Sequence, residues 1–344
     1  MNLSDPIKSR IDGETLSASI VIRAYNEEAH IGRLMEGLRV QRVQPLEVIL
    51  VDSGSTDSTV TIAQHYGARI VRIAKEDFTF GRALNVGCEA ATGDILVFVS
   101  AHVYPTHETW LGDLIEPFCD DRVVLSYGGQ LGGDTNKYSE HRLFAQWFPR
   151  EPALPQKSYF CNNANCAVRR SVWETHNYDE ALTGLEDLDW AKRAQTDGGW
   201  LAYVPKASIV HIHEETWNQV RNRYRREAIA LRHIDSAAHF SFSDFISLFT
   251  ASVTSDLRVA LKHKMFLKEW RSILLFRFNQ FYGALQGHRD PPELSRELKR
   301  RFYYPTSETH NLPDRVPDLH AEGRIDYTKL SAEKRNNRLT AQDS

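Results

Sequence analysis

Two adjacent carboxylates, Glu186 and Asp187, stand near the start of the segment TGLEDLDWAKRAQTDGG, whose composition predicts a helix with an acidic first turn. A carboxylate in such a place can act as a general base and accept a proton from an attacking hydroxyl group. Asp189 is a nearby alternative base. A purely structural interpretation also exists, because negative charge stabilises the N-terminus of a helix.

Two histidines, His211 and His213, are separated by one residue in the segment LAYVPKASIVHIH, which we expect to be extended. Side chains two apart on a strand point to the same face, so both imidazoles face one side. Imidazole nitrogens bind transition metals, although two histidines at this spacing are by themselves a weak metal signal. The alternative is that the rings only pack in the wall of the fold.

Polar residues also follow three apolar runs that predict strands. The runs ASIVIRA, LEVILV and DILVFV lead into Tyr25-Asn26-Glu27, Asp52-Ser53 and Ser100-Ala101-His102. Segments with apolar residues at helical spacing lie between the runs, and this alternation predicts a parallel α/β sheet with helices on both faces. Such sheets bind ligands at the carboxyl ends of their strands. Taken singly, Asn26 and Asp52 could equally cap the helices that follow them.

The rest of the chain divides by composition. An Arg-rich helical segment, NQVRNRYRREAIALRH, is followed by two expected amphipathic helices between about Ser241 and Leu285, with a break near Lys262–Met265. From Pro291 onward the chain is polar, and we expect a loosely packed arm or disordered tail. The predicted organisation is an N-terminal tail at 1–17, an α/β domain at 18–235, a helical extension at 236–290 and the polar arm at 291–344.

Composition excludes several classes of protein. The 344 residues carry 42 Lys+Arg against 45 Asp+Glu, a net charge of −3, so no global charge favours nucleic acid as a partner. The 4 cysteines are irregularly spaced and do not make a disulfide framework, and a reduced, cytoplasmic location is expected. The first residues lack the apolar stretch of a secretory signal, and no apolar run approaches the roughly 20 residues needed to span a bilayer.

Several stretches together resemble a known family. SIVIRAYNEEAHIGRLMEGL, LEVILVDSGSTDSTV and FGRALNVGCEAATGDILVFVSAHVYP are similar to the nucleotide-binding half of a family 2 glycosyltransferase with the GT-A fold. NNANCAVRRSVW, GLEDLDWAKR and VHIHEETWNQVRNRYRREA resemble the acceptor half of bacterial polysaccharide members, including rhamnosyltransferase-like enzymes. The resemblance spans roughly residues 18–235 and implies a mixed, mainly parallel sheet flanked by helices, with a C-terminal helical extension.

The resemblance also implies roles for individual residues. A sugar would move from a nucleotide donor to an acceptor, with Asp187 as the base and Glu186 orienting or binding the acceptor. Asn163 and Asn165 of the NNANC motif would bind the acceptor substrate. The positions implied to bind the nucleotide or its diphosphate are Ala24, Tyr25, Asn26, Glu27, Asp52, Ser55, Arg82, Asn85, Ser100, Ala101 and His102.

One departure from the family concerns the metal. The segment Ser100–His102 occupies the place of the family's Asp-x-Asp motif, which binds a divalent cation that bridges the donor phosphates, and it contains no carboxylate. His102 with His211 or His213 could bind the metal, and Mn²⁺ fits an imidazole better than Mg²⁺, which prefers oxygen ligands. In a metal-free site, the leaving diphosphate would be stabilised by fixed donors, namely Arg82, His102, His211 and the cluster Arg221–Arg226.

The leading hypothesis is an inverting glycosyltransferase that uses a nucleotide-activated sugar and acts on a surface polysaccharide, capsule or O-antigen, or on its lipid-linked precursor. The alternative is a non-catalytic carbohydrate or nucleotide-sugar binding protein, and a third hypothesis, a nucleotidyltransferase, lacks its Gly-rich phosphate loop. The basic stretch SDLRVALKHKMFLKEWRSILLFR, residues 255–277, predicts either helices packed on the domain or peripheral contact with the anionic inner face of the cytoplasmic membrane.

Overall fold

The computed structural model describes residues 10–11, 14–290 and 324–330. The strands are β1 (Arg10–Ile11), β2 (Glu14–Thr15), β3 (Ala18–Ala24), β4 (Glu47–Asp52), β5 (Arg69–Arg72), β6 (Ile95–Ser100), β7 (Val103–Pro105), β8 (Val123–Gly132), β9 (Asn165–Arg169) and β10 (Trp200–His211). The helices are α1 (Ile31–Arg39), α2 (Thr59–His65), α3 (Phe80–Ala90), α4 (Trp110–Ile115), α5 (Tyr138–Trp147), α6 (Arg170–Trp173), α7 (Glu186–Thr196), α8 (Trp217–Ile234), α9 (Phe242–Lys262) and α10 (Phe266–Arg289).

An 8-stranded sheet with the order β5-β4-β3-β6-β9-β8-β10-β7 organises the α/β domain. β3, β4, β5, β6, β8 and β10 share one direction, whereas β7 and β9 run antiparallel to their neighbours. The sheet is therefore mixed and mainly parallel, as predicted. Because β7 and β9 are reversed, His102 and Asn163, which precede them, lie at the same edge as the carboxyl ends of the other strands.

Both faces of the sheet are covered, which explains why its strands read as continuous apolar runs. Side chains of β3 alternate between two cores: Ile20 and Ile22 pack with Leu34 of α1 on one face, whereas Val21 packs with Leu84 of α3 on the other. Burying each of these side chains contributes roughly 1.5–3 kcal/mol. A shift of one residue in register would exchange the two faces, so the packing fixes where each strand ends.

The C-terminal helices pack on one another as a separate layer beside the sheet. A Cβ atom on Gly283 would lie 2.3 Å from the carbonyl oxygen of Arg221, and one on Gly287 would lie 2.3 Å from that of Arg225. Glycine at these two positions therefore allows α10 to rest directly on the backbone of α8. α9 and α10 form a helical hairpin. The turn between Lys262 and Phe266 confirms the predicted break.

The chain ends carry more structure than the predicted tails. β1 and β2 pair antiparallel within the stretch 1–17. At the other end, Arg324–Leu330 packs on the α/β domain, where the Tyr327 hydroxyl donates to the carbonyl oxygen of Pro105 at 2.8 Å. The remainder of the predicted arm at 291–344 lies outside the described residues. Within the described ranges, no helix combines the length and the apolar character that crossing a bilayer requires.

Candidate active site

Two loops at the carboxyl ends of β3 and β4 are fastened to each other by hydrogen bonds. Asn26, whose backbone adopts the left-handed conformation at φ 54°, donates its N–H to Ser55 Oγ at 2.9 Å. Asn26 Oδ1 accepts from the N–H of Thr56 at 2.8 Å, and Thr59 Oγ1 accepts from the N–H of Glu27 at 2.6 Å. The structure thus brings together the residues that the sequence analysis assigned to the nucleotide loops.

Asp52, the last residue of β4, is 1% exposed, and its carboxylate closes the turn that follows. It accepts from the N–H of Gly54 at 3.2 Å and from the N–H of Ser55 at 3.0 Å. Lys75 covers Gly54, and its Nζ donates to the Tyr25 hydroxyl at 3.0 Å. Lys75 was not among the predicted site residues, although it follows the strand ARIVRI just as the other polar residues follow their strands.

The segment that replaces the acidic motif contributes side chains unequally. Ala101 is 1% exposed, and Ala24, the last residue of the neighbouring strand β3, is 6% exposed. Both are core residues that can offer only backbone groups to a ligand. Ser100 is partly exposed at the end of β6. His102 turns toward Glu27, with Nδ1 and Oε1 2.9 Å apart. Burial lowers the pKa of His102, but the Glu27 carboxylate more than offsets this, so the net pKa shift is upward.

The three predicted metal-binding histidines lie together. Potential ligand atoms of His102, His211 and His213 are all within 4.8 Å of one another. The rings of His102 and His211 stack with centroids 5.1 Å apart, and the Nε2 atoms of His211 and His213 are 3.1 Å apart. Each ring is anchored through Nδ1 by an oxygen 2.9 Å away: Glu27 Oε1 for His102, Gln130 Oε1 for His211 and Glu140 Oε1 for His213.

These anchors fix which nitrogen of each ring carries the proton. A carboxylate only accepts, so the two rings bound to glutamates donate from Nδ1. The Ala164 N–H donates to Asn162 Oδ1 at 2.9 Å and Gln130 Nε2 donates to the same atom at 3.0 Å, which leaves Gln130 Oε1 to accept from His211. A neutral ring then keeps its lone pair on Nε2. The facing lone pairs of His211 and His213 therefore call for a proton or a cation between them.

A buried ionic network of Glu140, Arg223 and Glu215 adjoins the histidine cluster through His213. Burial and the neighbouring positive groups lower the pKa of His211 well below its usual range. Burial raises the pKa of Glu140, but the hydrogen bond from His213 and the charge of Arg223 outweigh it and lower the pKa to about 2. Arg223 donates to Glu140 at 2.9 Å and to Glu215 at 2.7 Å. Glu140 is thus a permanent anion that orients His213.

Glu186 and Asp187 open α7 and occupy different environments. Glu186 accepts from Arg23 Nη1 at 2.9 Å. Asp187 is 8% exposed and accepts from the backbone N–H groups of Asn163 at 3.0 Å and Leu188 at 2.9 Å. Burial, followed by the negative charge of Glu186, raises the pKa of Asp187 to about 7. A carboxyl group with such a pKa is suited to accept a proton near neutral pH.

Comparison with known proteins bears on the family of the chain. A family model described as Glycosyl transferase family 2 matches residues 19–176. An uncharacterized glycosyltransferase of Rickettsia prowazekii, RP339, is 34% identical over 294 residues, which are 77% of this chain and 86% of the relative. The chain belongs to glycosyl transferase family 2. The O-antigen chain rhamnosyltransferase WbaN of Salmonella anatum is 28% identical over 220 residues, which are 60% of this chain and 70% of WbaN.

The fold of this glycosyltransferase is also found among solved structures. The mannosyltransferase PcManGT from Pyrobaculum calidifontis, solved in complex with GDP-Man and Mn²⁺, is similar with a TM-score of 0.54 and 15% sequence identity. The likeness covers 83% of this chain and 90% of PcManGT. At this identity it shows the fold alone, and it confirms the GT-A type fold that the sequence resemblance implies.

In the glycosyltransferase, Arg82 and Asn85 of α3 both contact Glu180. Arg82 Nη1 lies 3.3 Å from the Glu180 carboxylate, and its side chain is half exposed. Asn85 is 5% exposed and donates to the carbonyl oxygen of Tyr178 at 2.9 Å and to Glu180 at 3.0 Å, while its Oδ1 accepts from Trp173. Because both amide hydrogens of Asn85 are used within the chain, it positions α3 rather than offering the nucleotide contact that we predicted.

Asn163 and Asn165, the two asparagines of the NNANC motif that we predicted to bind the acceptor, differ in how far their amide groups are already hydrogen-bonded. Asn163 is 3% exposed, and its Nδ2 has no hydrogen-bond partner among the described residues. Asn165 is 0% exposed; its Oδ1 accepts from Trp110 at 2.9 Å, and its Nδ2 donates to the carbonyl oxygens of Gly129 at 3.0 Å and Ala207 at 2.7 Å. Asn165 therefore ties strands together and is enclosed, contrary to its predicted role in substrate binding, whereas Asn163 keeps an amide to offer.

The Arg-rich start of α8 does not form the single cationic cluster that the sequence suggests. Arg223 and Arg225 are already paired with acidic side chains. Arg226 instead lies over the ring of Phe80 at 4.5 Å, and Arg23 lies over the same ring at 5.2 Å. Because both arginines lie over Phe80, Arg226 is close to the ion pair between Arg23 and Glu186.

Proposed function

We propose that this glycosyltransferase is an inverting enzyme that transfers a hexosyl or deoxyhexosyl unit from a nucleotide sugar to a hydroxyl group of a surface polysaccharide or lipid-linked oligosaccharide. The observation that carries the proposal is the environment of Asp187, a buried carboxylate with a pKa of about 7 at the same edge of the sheet as the loops after β3 and β4. The name of the relative WbaN, an O-antigen chain rhamnosyltransferase, supports a polysaccharide acceptor.

In the proposed reaction, Asp187 accepts the proton of the acceptor hydroxyl while the hydroxyl oxygen attacks the anomeric carbon of the donor sugar. A new carbon–oxygen bond forms, and the bond between the anomeric carbon and the diphosphate breaks. Attack from the face opposite the diphosphate inverts the anomeric configuration. Glu186, held by Arg23 at 2.9 Å, orients the acceptor.

We assign the donor to the two fastened loops, with Ala24 contributing backbone and Tyr25, Asn26, Glu27, Asp52 and Ser55 contributing side chains. Within its own turn, Asp52 Oδ1 accepts from one N–H and Oδ2 from two, so Oδ1 can still accept from a ribose hydroxyl or a base N–H. Lys75, with Nζ 4.5 Å from the centroid of the Tyr25 ring, adds positive charge beside this loop. Arg82, Ser100 and His102 are assigned to the diphosphate.

The residues His102, His211 and His213 fit a transition-metal ion. Each imidazole is anchored through Nδ1 by an oxygen acceptor, which is how metal-binding histidines are usually oriented. The facing Nε2 atoms of His211 and His213, 3.1 Å apart, present lone pairs to each other. A nitrogen donor set favours Mn²⁺ over Mg²⁺. When bound, such an ion would supply positive charge to the donor diphosphate.

Calorimetric titration with Mn²⁺ tests this metal assignment without relying on activity. We expect saturable binding that is lost in His213→Ala and retained in His65→Ala, which removes an exposed imidazole on α2. We also expect transfer to survive EDTA in part and to recover better with Mn²⁺ than with Mg²⁺. Complete loss of transfer in EDTA, restored equally by Mg²⁺, would contradict the assignment.

We further propose that the tip of the α9–α10 hairpin contacts the anionic inner face of the cytoplasmic membrane. Leu261, Leu267 and Trp270 are 58%, 86% and 37% exposed there. The exposed basic residues around them are Arg258, Lys262, Lys264, Lys268 and Arg271. Each basic residue near an anionic bilayer contributes about 1 kcal/mol to binding. Arg277, which the sequence analysis counted with them, is buried against Asp256 and cannot contribute.

Co-sedimentation with vesicles of phosphatidylglycerol and phosphatidylcholine at low salt tests the membrane contact. We expect the wild-type chain to sediment with the vesicles and a Lys262→Glu, Lys264→Glu, Lys268→Glu variant to remain in the supernatant. Equal sedimentation of both proteins, or none by the wild type, would remove the hairpin tip as a membrane contact.

A panel of UDP-, GDP- and dTDP-sugars tests the proposed activity as a whole. We expect one nucleotide class to give nucleotide release that accelerates when a lipid-linked saccharide extract is added. Binding of a nucleotide sugar with no release under any of these conditions would favour the non-catalytic alternative.

A further inference from the structure

A groove of about 610 Å³ lies between α5, α9 and α10. Residues two apart on a helix point in nearly opposite directions, so Arg142 faces this groove while Glu140 faces the histidine cluster. The polar part of the lining includes Arg142, Gln146, Ser252, Ser255, Arg277 and Gln280. The groove and the histidine cluster therefore lie on opposite sides of α5.

The charges in the groove do not balance. Asp256, which is 2% exposed, is the acidic residue of its lining and accepts from Arg277 Nε at 2.8 Å and from Ser139 Oγ at 2.7 Å. Arg142 is a second guanidinium beside the same carboxylate, with Nε 3.6 Å from Asp256 Oδ1. One carboxylate therefore faces two guanidinium groups, and the lining keeps one positive charge in excess.

Arg142 has hydrogen-bonding capacity left for a ligand. Its Nε is shielded from solvent and donates to no group among the described residues. The Arg142 side chain is nevertheless 36% exposed, so the guanidinium can be reached from the groove. A charged donor that is partly buried without a full set of acceptors is costly, and an oxyanion is the ligand that satisfies a planar guanidinium best.

The groove adjoins the acceptor side of the candidate active site. Trp147 forms part of its wall, and the ring of Trp147 lies 6.4 Å from that of Phe160, in the loop that leads to Asn163. Along α9, Ser255 in the groove is separated from Leu261 at the hairpin tip by about 9 Å, at 1.5 Å per residue. The groove thus lies between the loop assigned to the acceptor and the surface assigned to the membrane.

We propose that this groove is a second binding site, which holds an oxyanion of the acceptor through Arg142. The anion is a phosphate of a lipid-linked carrier or a carboxylate of an acidic sugar, since both present the same oxygen pair to a guanidinium. That the anion belongs to the acceptor rests on the proposed function, whereas anion binding by the groove does not.

Calorimetry on the full chain tests the site with three probes: inorganic pyrophosphate, D-glucuronate and, as the neutral control, methyl glucoside. We expect saturable binding of at least one anion and none of methyl glucoside. Arg142→Gln should weaken anion binding about tenfold or more, because it removes a charged hydrogen bond. Arg39→Gln, which removes an exposed guanidinium from α1, should leave it unchanged.

Two further variants keep the test decisive. Ser255→Trp fills the groove from an exposed position, so it should block the anion even if Arg142→Gln fails to fold. Arg82→Gln should still bind the anion, which separates the groove from the site assigned to the donor diphosphate. Pyrophosphate as the tighter ligand would indicate a lipid carrier, and glucuronate an acidic sugar.

The proposal is overturned if neither anion binds, or if Arg142→Gln and Ser255→Trp bind as the wild type does. Binding of nucleoside diphosphates in the same samples reports on the proposed function separately. If the wild-type chain binds the anion but no nucleoside diphosphate, the proposed function is contradicted and the groove site still stands.

Discussion

The nucleotide side and the acceptor side of the candidate site are held together by contacts of different range. On the nucleotide side, Asp52 accepts from the backbone of Gly54 and Ser55, the next residues in its own turn. On the acceptor side, Arg23 and Glu186 are 163 residues apart in sequence. The turn assigned to the nucleotide is thus closed by residues that are neighbours in the sequence. The environment of the proposed base, in contrast, forms only once the chain has folded.

Two buried carboxyl groups of the candidate site have pKa values shifted in opposite directions. Glu140 has an imidazole and a guanidinium as partners, and its pKa falls to about 2. Asp187 has backbone N–H donors and a neighbouring carboxylate, and its pKa rises to about 7. Two buried carboxyl groups of similar chemistry are therefore suited to different tasks, one as a fixed anion and one as a proton acceptor, because their neighbours differ.

The largest effect is expected for Asp187→Asn. The amide keeps the shape of the side chain but cannot take a proton, so transfer should fall about 10²-fold or more. The measurement is the initial rate of sugar transfer at saturating donor. Asp189→Asn is the matched control, because Asp189 pairs with Arg193 at 2.9 Å. Loss of transfer in Asp189→Asn instead would reassign the base.

The next effect concerns the anchor of the histidine cluster. Glu140→Gln should weaken Mn²⁺ binding by about 10- to 100-fold, since it removes the charged partner that orients a metal-binding imidazole. Calorimetric titration with Mn²⁺ measures this change. Glu36→Gln, on the distant helix α1, controls for the loss of one negative charge. Unchanged Mn²⁺ affinity in Glu140→Gln would show that the ionic network does not contribute to metal binding.

A smaller effect is expected in the pH dependence of transfer. The base must be ionised, so activity should rise with pH through the pKa of Asp187, about 7, and be lost below it. Glu186→Gln removes a negative charge that raises this pKa, so the acidic limb should move to lower pH. Arg23→Gln removes a positive charge that lowers it, so the limb should move to higher pH. If the acidic limbs of both variants move in the same direction, or neither moves, the pH dependence of transfer does not report the ionisation of Asp187.

The elements that the sequence predicted well share one property, which is that their signal is local. Apolar runs ending in polar residues marked the edge where Asn26 and Ser55 meet. The break near Lys262–Met265 was visible because helical spacing stops and restarts there. The proximity of His102 to His211 and His213 had another basis, the family resemblance, which implies a histidine of the β10 segment near the donor diphosphate.

The residues that the sequence misplaced depend on partners far along the chain. Asn165 and Asn85 belong to motifs with polar residues, yet their amides are satisfied by strands and loops that no local pattern connects to them. Gln130 and Glu140 were missed for the same reason. Glu140 occupies the third position of a helix, where a carboxylate that accepts from the Lys137 N–H is ordinary capping, so its sequence signal pointed to α5 and not to His213.

The central claim is that donor binding and proton transfer lie on different sides of this site and can be separated. The most direct test is calorimetry of Asp52→Ala and Asp187→Asn, side by side, with whichever of UDP, GDP or dTDP binds the wild type most tightly. Asp52→Ala should weaken nucleotide binding about tenfold or more, because a charged hydrogen bond is lost. Asp187→Asn should bind the nucleotide within about twofold of the wild type, since transfer and not donor affinity depends on it. Equal loss of affinity in both variants, or loss only in Asp187→Asn, would contradict the account.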